Sequence, residues 1–134
     1  MENEEKRKNV KHIALILAVT LLVYINVFAN DFAFDDHVFI ENSLEIRDAS
    51  NIPGFFSQDT LGLYRPLRQV LYVVNYSLSQ DNPFGYHLQS LLFHIINSLL
   101  VFLIAKVFFQ KPNSALFAAL IFAVHPIHTE RVTN

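Results

Sequence analysis

His12 to Asn30 reads H-I-A-L-I-L-A-V-T-L-L-V-Y-I-N-V-F-A-N, and no charged residue occurs from Ile13 to Ala29. A helix needs about 20 apolar residues to cross the hydrocarbon core of a bilayer, which this run supplies. A cleaved signal peptide would carry a shorter apolar core, roughly 7–15 residues, followed by small residues at the cleavage site. This run is longer and ends in N-V-F-A-N-D. It reads as a transmembrane helix from about His12 to Asn30. Residues 1–11 before it are polar and hold a basic cluster, Lys6, Arg7, Lys8 and Lys11. Such a cluster keeps the N-terminus on the cytoplasmic side.

Working outward, the next stretch is acidic. Asp31, Asp35, Asp36, Glu41, Glu45, Asp48 and Asp59 face a lone Arg47 between residues 31 and 62. Nothing there holds the chain inside, so residues 31–83 are expected as an external loop. Asn51-Ile52-Pro53-Gly54 is a turn signal, and Ile52, Phe55 and Phe56 are expected to anchor the loop at the membrane interface. Within the loop, Leu67, Val70, Leu71, Val74 and Leu78 recur at helical spacing behind Pro66. A surface helix of about 65–79 along the outer membrane face is the expected reading.

Gln80-Asp81-Asn82-Pro83 breaks the chain. A second apolar helix follows over 84–109, ending near Lys106 and Lys111, which suit a return to the cytoplasm. A third is expected over 113–128, short for a crossing unless His125-Pro126-Ile127-His128 lies at membrane depth. Residues 129–134 would be external, where the chain looks cut off. The fold class expected is therefore an all-α integral membrane protein with three transmembrane helices and an external loop carrying a surface helix.

Composition agrees and excludes several classes. Hydrophobic residues make up 52% of the chain, with 13 Phe and only 3 Gly, as suits lipid-facing helices. A formal net charge of −2 offers no basic surface for nucleic acid. There is no cysteine, so disulfides and thiol chemistry are excluded. No glycine-rich phosphate loop is present.

Candidate site residues lie at and beyond the membrane exits. Asp35 and Asp36 follow the first span by a few residues, where a membrane-embedded substrate meets water; a carboxylate there can act as general base on an acceptor hydroxyl. A solvated loop is the plainer explanation. His37 could serve as base or binding group, and Arg65 could hold a phosphate through charge-assisted hydrogen bonds. In the second helix His87, Ser90, His94 and Asn97 recur at spacings of three or four. Polar groups at that depth either line a cavity or bond neighbouring helices. His125, His128 and Glu130 could bind substrate, cap the chain, or supply zinc or manganese ligands if the backbone folded suitably. The pattern is not H-E-x-x-H, and Pro126 interrupts a regular turn. His87 and His94 stand two turns apart, which does not suit a shared metal.

Four motifs occur in order: F-D-D-H-V-F-I-E-N (Phe34 to Asn42), Y-R-P-L (Tyr64 to Leu67), P-F-G-Y-H-L-Q-S-L-L-F-H-I-I-N (Pro83 to Asn97) and H-P-I-H-T-E-R-V (His125 to Val132). Together they resemble the N-terminal part of the TMTC-like (transmembrane and tetratricopeptide repeat) glycosyltransferases. These are O-mannosyltransferase relatives within the GT-C class, found also in bacteria. The resemblance implies transfer of a sugar from a polyprenyl-phosphate carrier to a protein or other hydroxyl acceptor on the outer face. It implies Asp35 or Asp36 as catalytic base and Arg65 on the carrier phosphate; His37, His87, His94, Asn97, His125, His128 and Glu130 are expected beside them as substrate-binding groups from the polar pattern above. A divalent metal is an open possibility within it. Ser90 stands where the family is expected to carry Asn, and Arg131 where a small residue commonly follows H-T-E. No 34-residue period is visible, so the repeats of the family are absent from this chain. The expectation is thus an N-terminal fragment, inactive without further helices and the repeat region, in a plasma membrane such as the bacterial inner membrane. A non-catalytic membrane scaffold subunit and a transporter segment are the alternatives from other classes.

Overall fold

The computed structural model describes residues 2–33, 36–59, 62–129 and 132. Within these the chain is helical, and no β-strand forms. Four α-helices carry it: α1 (Glu2–Tyr24), α2 (Pro66–Ser79), α3 (Pro83–Phe109) and α4 (Pro112–Val124). Proline opens three of them, because a first-turn N–H has no intrahelical acceptor and its loss costs nothing. Two helical stretches, Asn3–Ala29 and Pro83–Phe109, are long and apolar enough to cross a membrane; Pro112–Val124 is apolar but shorter. That α-helix stops at Val124, with His125 extended (φ −65°, ψ 128°), because Pro126 disfavours helical backbone in the residue before it. A single 3-10 turn, Pro126–His128, follows.

The chain forms two compact units, one of residues 1–29 and 89–133, the other of residues 30–88. In the first, α1 packs on α4 and on α3. Ala115, Ala119 and Ala123 repeat every four residues along α4 and are all fully buried. Small side chains at this spacing let a helix axis come close, which is how helices associate where lipid removes any hydrophobic drive. Ile16 and Thr20, both fully buried, are the residues of α1 on that side of the packing core, with Phe102 and Ala105 of α3. Thr20 is not left unpaired: its hydroxyl donates back to the Ile16 carbonyl at 2.8 Å. The outward faces are apolar and open, with Leu22, Val107, Phe108 and Phe117 each at least 67% exposed.

The second unit has an apolar core of its own. Phe32, Ile40, Ile46, Phe55, Val73 and Tyr86 bury one another, with Ile52, Val70, Tyr72 and Tyr76 packed around them. The acidic segment is thereby folded into short turns: a π-helical turn His37–Glu41 and 3-10 turns Glu45–Arg47 and Ala49–Phe56. Here the expectation for the loop aromatics is corrected. Phe55 is 6% exposed and Ile52 packs inward, so only Phe56, at 51%, is free to touch an interface. Burial of Phe55 against five other apolar side chains outweighs anything an isolated interfacial ring would gain.

Polar contacts lock the turns. Arg47 Nη2 donates to the Glu41 carbonyl at 2.8 Å, lies 3.7 Å from Asp81 and sits 5.3 Å over the Tyr76 ring. Asp48 accepts from the Ser50 N–H at 2.8 Å, and that bond holds its carboxyl below the usual carboxylate range. Between α2 and α3 the chain turns through Gln80 at φ 52°, and Asn82 accepts from the Phe84 N–H at 3.0 Å to cap α3. A Cβ on Gly85 would collide with the Ser79 side chain, so the glycine of the P-F-G-Y-H motif permits this close corner.

Candidate functional site

Within the second unit, Asp36 and His37 are set by the π-helical turn His37–Glu41, of which Asp36 is the N-terminal flank. A π turn is rare and widens the backbone, and such turns recur at functional positions. Asp36 is half-buried, and its carboxylate accepts from the Ala33 N–H at 3.4 Å. His37 is exposed; its Nδ1–H donates to Glu41 Oε2 at 2.6 Å, one turn along. This gives a carboxylate beside a carboxylate-held imidazole, a combination able to take up and pass on a proton. Glu41 is a partner that motif reading missed, although its spacing four residues from His37 was the available signal. Asp35 lies outside the described residues.

Arg65 flanks the start of α2 with an exposed side chain that makes no hydrogen bond or ion pair among the described residues. Its neighbour one turn on, Arg68, is half-buried, with its guanidinium 4.1 Å from the Phe39 ring centroid and 5.6 Å from that of Tyr72. Arg68 was not among the sequence candidates, because a cation stacked on a ring distant in sequence leaves no local pattern. In the same unit His87 is 1% exposed; its Nε2–H donates to the Asn30 carbonyl at 3.2 Å, and Nδ1 has no partner among the described residues.

The first unit gathers three of the candidate histidines. His94 is 6% exposed, and its Nε2–H donates to the Ala123 carbonyl at 2.9 Å. That carbonyl belongs to the last turn of α4, and its i+4 N–H, that of Ile127, is taken by His125 Nδ1. His128 lies with its ring centroid 5.1 Å from His94 and 4.4 Å from Phe122. His125 is 6.2 Å from His128 and folds its Nδ1 back to accept the Ile127 N–H. Tyr24 closes the other side of His94 at 5.0 Å, edge to face. The result is a histidine and aromatic cluster that runs from buried His94 through half-buried His128 to exposed His125, able to offer imidazole nitrogens and ring faces to a polar ligand.

Asn97 is not in this cluster. It is exposed, and the buried polar position of α3 is Ser98, whose hydroxyl donates to the His94 carbonyl at 2.8 Å. At about 3.6 residues per turn, eleven residues complete three turns, so Ser98 and not Asn97 falls in line with His87. Ser90 is half-buried. Glu130 lies outside the described residues. Among the described residues no three His, Asp or Glu side chains converge as a metal ion would require.

Relatives among known proteins cover nearly the whole chain. Protein O-mannosyl-transferase TMTC3 of Homo sapiens is 35% identical over 94% of this chain and 15% of its own length. Protein O-mannosyl-transferase TMTC1 of Homo sapiens is 31% identical over 90% of this chain and 15% of its own. Protein O-mannosyl-transferase TMTC4 of Mus musculus is 30% identical over 87% of this chain and 19% of its own. This chain is a relative of the TMTC proteins. It spans about 15–19% of the length of these three TMTC relatives. The likeness runs through both units and all four α-helices, rather than resting on one motif. No family model matches the chain. No solved structure matches it either.

Proposed function

We propose that this chain is the N-terminal part of a polytopic GT-C glycosyltransferase that moves a sugar, mannose by its relatives' names, from a polyprenyl-phosphate carrier to a hydroxyl of a protein acceptor. The observation that carries this is the 35% identity to a named protein O-mannosyl-transferase across 94% of the chain. Asp36, with Asp35 beside it in sequence, is the base that takes the acceptor proton, and His37, held by Glu41, relays it. Arg65 meets the carrier phosphate. His94, His125 and His128 form a wall for the sugar or acceptor, and His87, Asn97 and Glu130 are further contacts. The remaining helices and the tetratricopeptide repeats are partners supplied by the rest of the polypeptide.

In this reading α1, α3 and α4 are three membrane spans, and residues 30–88 lie on the outer face of a plasma membrane such as the bacterial inner membrane. Two observations support it. Lys106 Nζ pairs with Glu5 at 3.0 Å, so the basic residues at 6–11 and at 106–111 gather at one end of the first unit, as a cytoplasmic end requires. On α2, the face turned away from Val73 and Tyr76 shows Leu67, Val74 and Leu78 at 70%, 46% and 79% exposure, an apolar stripe fit to lie on lipid.

The test is glycosyl transfer in vitro by the full-length protein from a labelled polyprenyl-phosphate mannose. Asp36→Asn is expected to lower the rate by ~100-fold or more, the size of a lost general base, with helicity unchanged. Full activity in both Asp36→Asn and Asp35→Asn would remove the acid pair from the chemistry. No transfer by well-folded wild type from several polyprenyl donors would leave a scaffold as the function.

A further inference from the structure

The unit of residues 30–88 contains three arginines, and they are not used alike. Arg47 is fully employed in the fold: it bonds the Glu41 carbonyl, approaches Asp81 and covers Tyr76. Arg65 and Arg68 have no carboxylate or carbonyl partner among the described residues, although seven Asp and Glu residues precede them between positions 31 and 59. For Arg65, exposed to solvent, water answers the need. Arg68 is different. It is half-buried, and its Nε is shut off from solvent with no hydrogen-bond partner among the described residues. The faces of Phe39 and Tyr72 lie against its charge. Gln69 beside it is 2% exposed and also leaves Oε1 unanswered among those residues.

A half-buried guanidinium without an acceptor is costly, since hydrogen bonds to charged groups are among the most expensive to leave unmade. Ring stacking recovers only part of that. It does, however, hold the guanidinium in place without using any of its N–H groups. A guanidinium so held can take an oxyanion through two parallel bonds. The platform matters as much as the cation. Phe39 sits in the π turn His37–Glu41, so stacking ties Arg68 to the same five-residue turn that bears His37 and is flanked by Asp36.

We propose that Arg68 is a second phosphate-binding side chain of the proposed transferase, one helical turn from Arg65, with Phe39 and Tyr72 as its positioning residues. The ligand is the phosphate of a polyprenyl carrier. The two guanidiniums divide the work. Arg65, exposed and solvated, meets the anion, while Arg68 is held rigid beside the turn that carries the candidate base. This rests on the carrier named above, but its test does not require that sugar transfer occur.

The experiment is competition binding followed by native mass spectrometry. The purified chain in neutral detergent is offered equal amounts of undecaprenyl phosphate and undecaprenol, two lipids that differ only in the phosphate. Wild type is expected to retain the phosphate form preferentially. Arg68→Gln should lower that preference roughly tenfold or more, as loss of charged hydrogen bonds predicts. Arg68→Lys should recover part of it, since the charge returns without the planar fork. Phe39→Leu, which keeps the core filled and the charge intact, should lower it several-fold, and Arg7→Gln in the basic N-terminal run should leave it unchanged. Undiminished preference in Arg68→Gln of wild-type helicity would overturn the proposal. So would an equal drop in Arg7→Gln, or no preference in wild type. Absence of sugar transfer with the phosphate preference intact and sensitive to Arg68 would instead sink the transferase reading and leave the anion site standing.

Discussion

The two units of this chain bury polar and apolar groups by different rules. In residues 1–29 and 89–133 the close packing is made by small residues, Ala115, Ala119 and Ala123 beside Ile16 and Thr20, and the outward faces are greasy. Buried polar groups there answer one another locally: Thr20 to the Ile16 carbonyl, Ser98 to the His94 carbonyl, His94 to the Ala123 carbonyl. Asn9 Oδ1 and His12 Nδ1 stay unpaired among the described residues, but neither is a fixed charge. In residues 30–88 the core is made by large side chains folded inward from turns, as in water-soluble domains. There a fixed charge, Arg68, has its Nε buried without an acceptor among the described residues. The contrast teaches where to look for chemistry. Unpaired neutral groups occur in the first unit too, so what singles out residues 30–88 is a cation, set against Phe39 of the turn that Asp36 flanks and unanswered at Nε among the described residues.

The largest effect that can test this contrast comes from deleting one ring in each core. Phe55→Ala removes a 6% exposed side chain from the core of the second unit and is expected to cost about 3–5 kcal/mol, enough to unfold the turns of residues 37–56. Phe102→Ala, at 1% exposure, should cost distinctly less in a bilayer, because lipid is as apolar as the core it would leave. Chemical denaturation in nanodiscs, with hydrogen exchange to locate the loss, measures both. Equal costs would erase the distinction between the two environments.

A smaller effect sharpens the packing rule of the first unit. Ala119→Phe forces a ring into the seam between α4 and α1 and is expected to destabilise by about 1–3 kcal/mol. The same change at Ala14, on the exposed side of α1, should be nearly silent. The signature of the first is loss of the crosslink between cysteines placed at positions 16 and 115, which share the same packing core. A retained crosslink with unchanged stability would show that small residues are not what brings these helices together.

The smallest effect belongs to Asp48. Its folded carboxyl is held below the usual range by the Ser50 N–H, so the stabilisation is fully present above the unfolded value and is lost as pH falls through the lower, folded one. As pH falls below the unfolded Asp value of about 3.9, the Ser50 amide should lose protection from hydrogen exchange, and Asp48→Asn should flatten that dependence. An unchanged profile in the mutant would assign the acid sensitivity of this turn to another carboxylate.

Much of the fold could be read from local signals. Apolar runs without charge announced long helices, and Pro66, Pro83 and Pro126 marked where helices begin or stop, since the missing N–H and fixed φ act within one turn. Four short motifs in order were enough to recognise the TMTC relationship, which the named relatives bear out. The candidate site was legible only in part. Asp35 and Asp36 were visible as a pair with His37 beside them, but not Glu41 as the group that holds His37. A repeat of threes and fours selected Asn97, while the true helical period buries Ser98. Phe55 read as an interface anchor because its apolarity was evident and its destination was not.

What the sequence by itself determined is therefore the all-helical character, the two long apolar helices and the family relationship. Each depends on neighbours in the chain, or on residue order, and is independent of what lies across a turn. Only the tertiary structure decided that Phe55 faces inward, that His94, His125 and His128 meet around Phe122, and that Arg68 lies on Phe39. Those of Phe55, His94 and Arg68 are contacts between residues far apart in sequence. They arise because burial pairs whatever surfaces the folded chain brings together, and no local pattern records that choice.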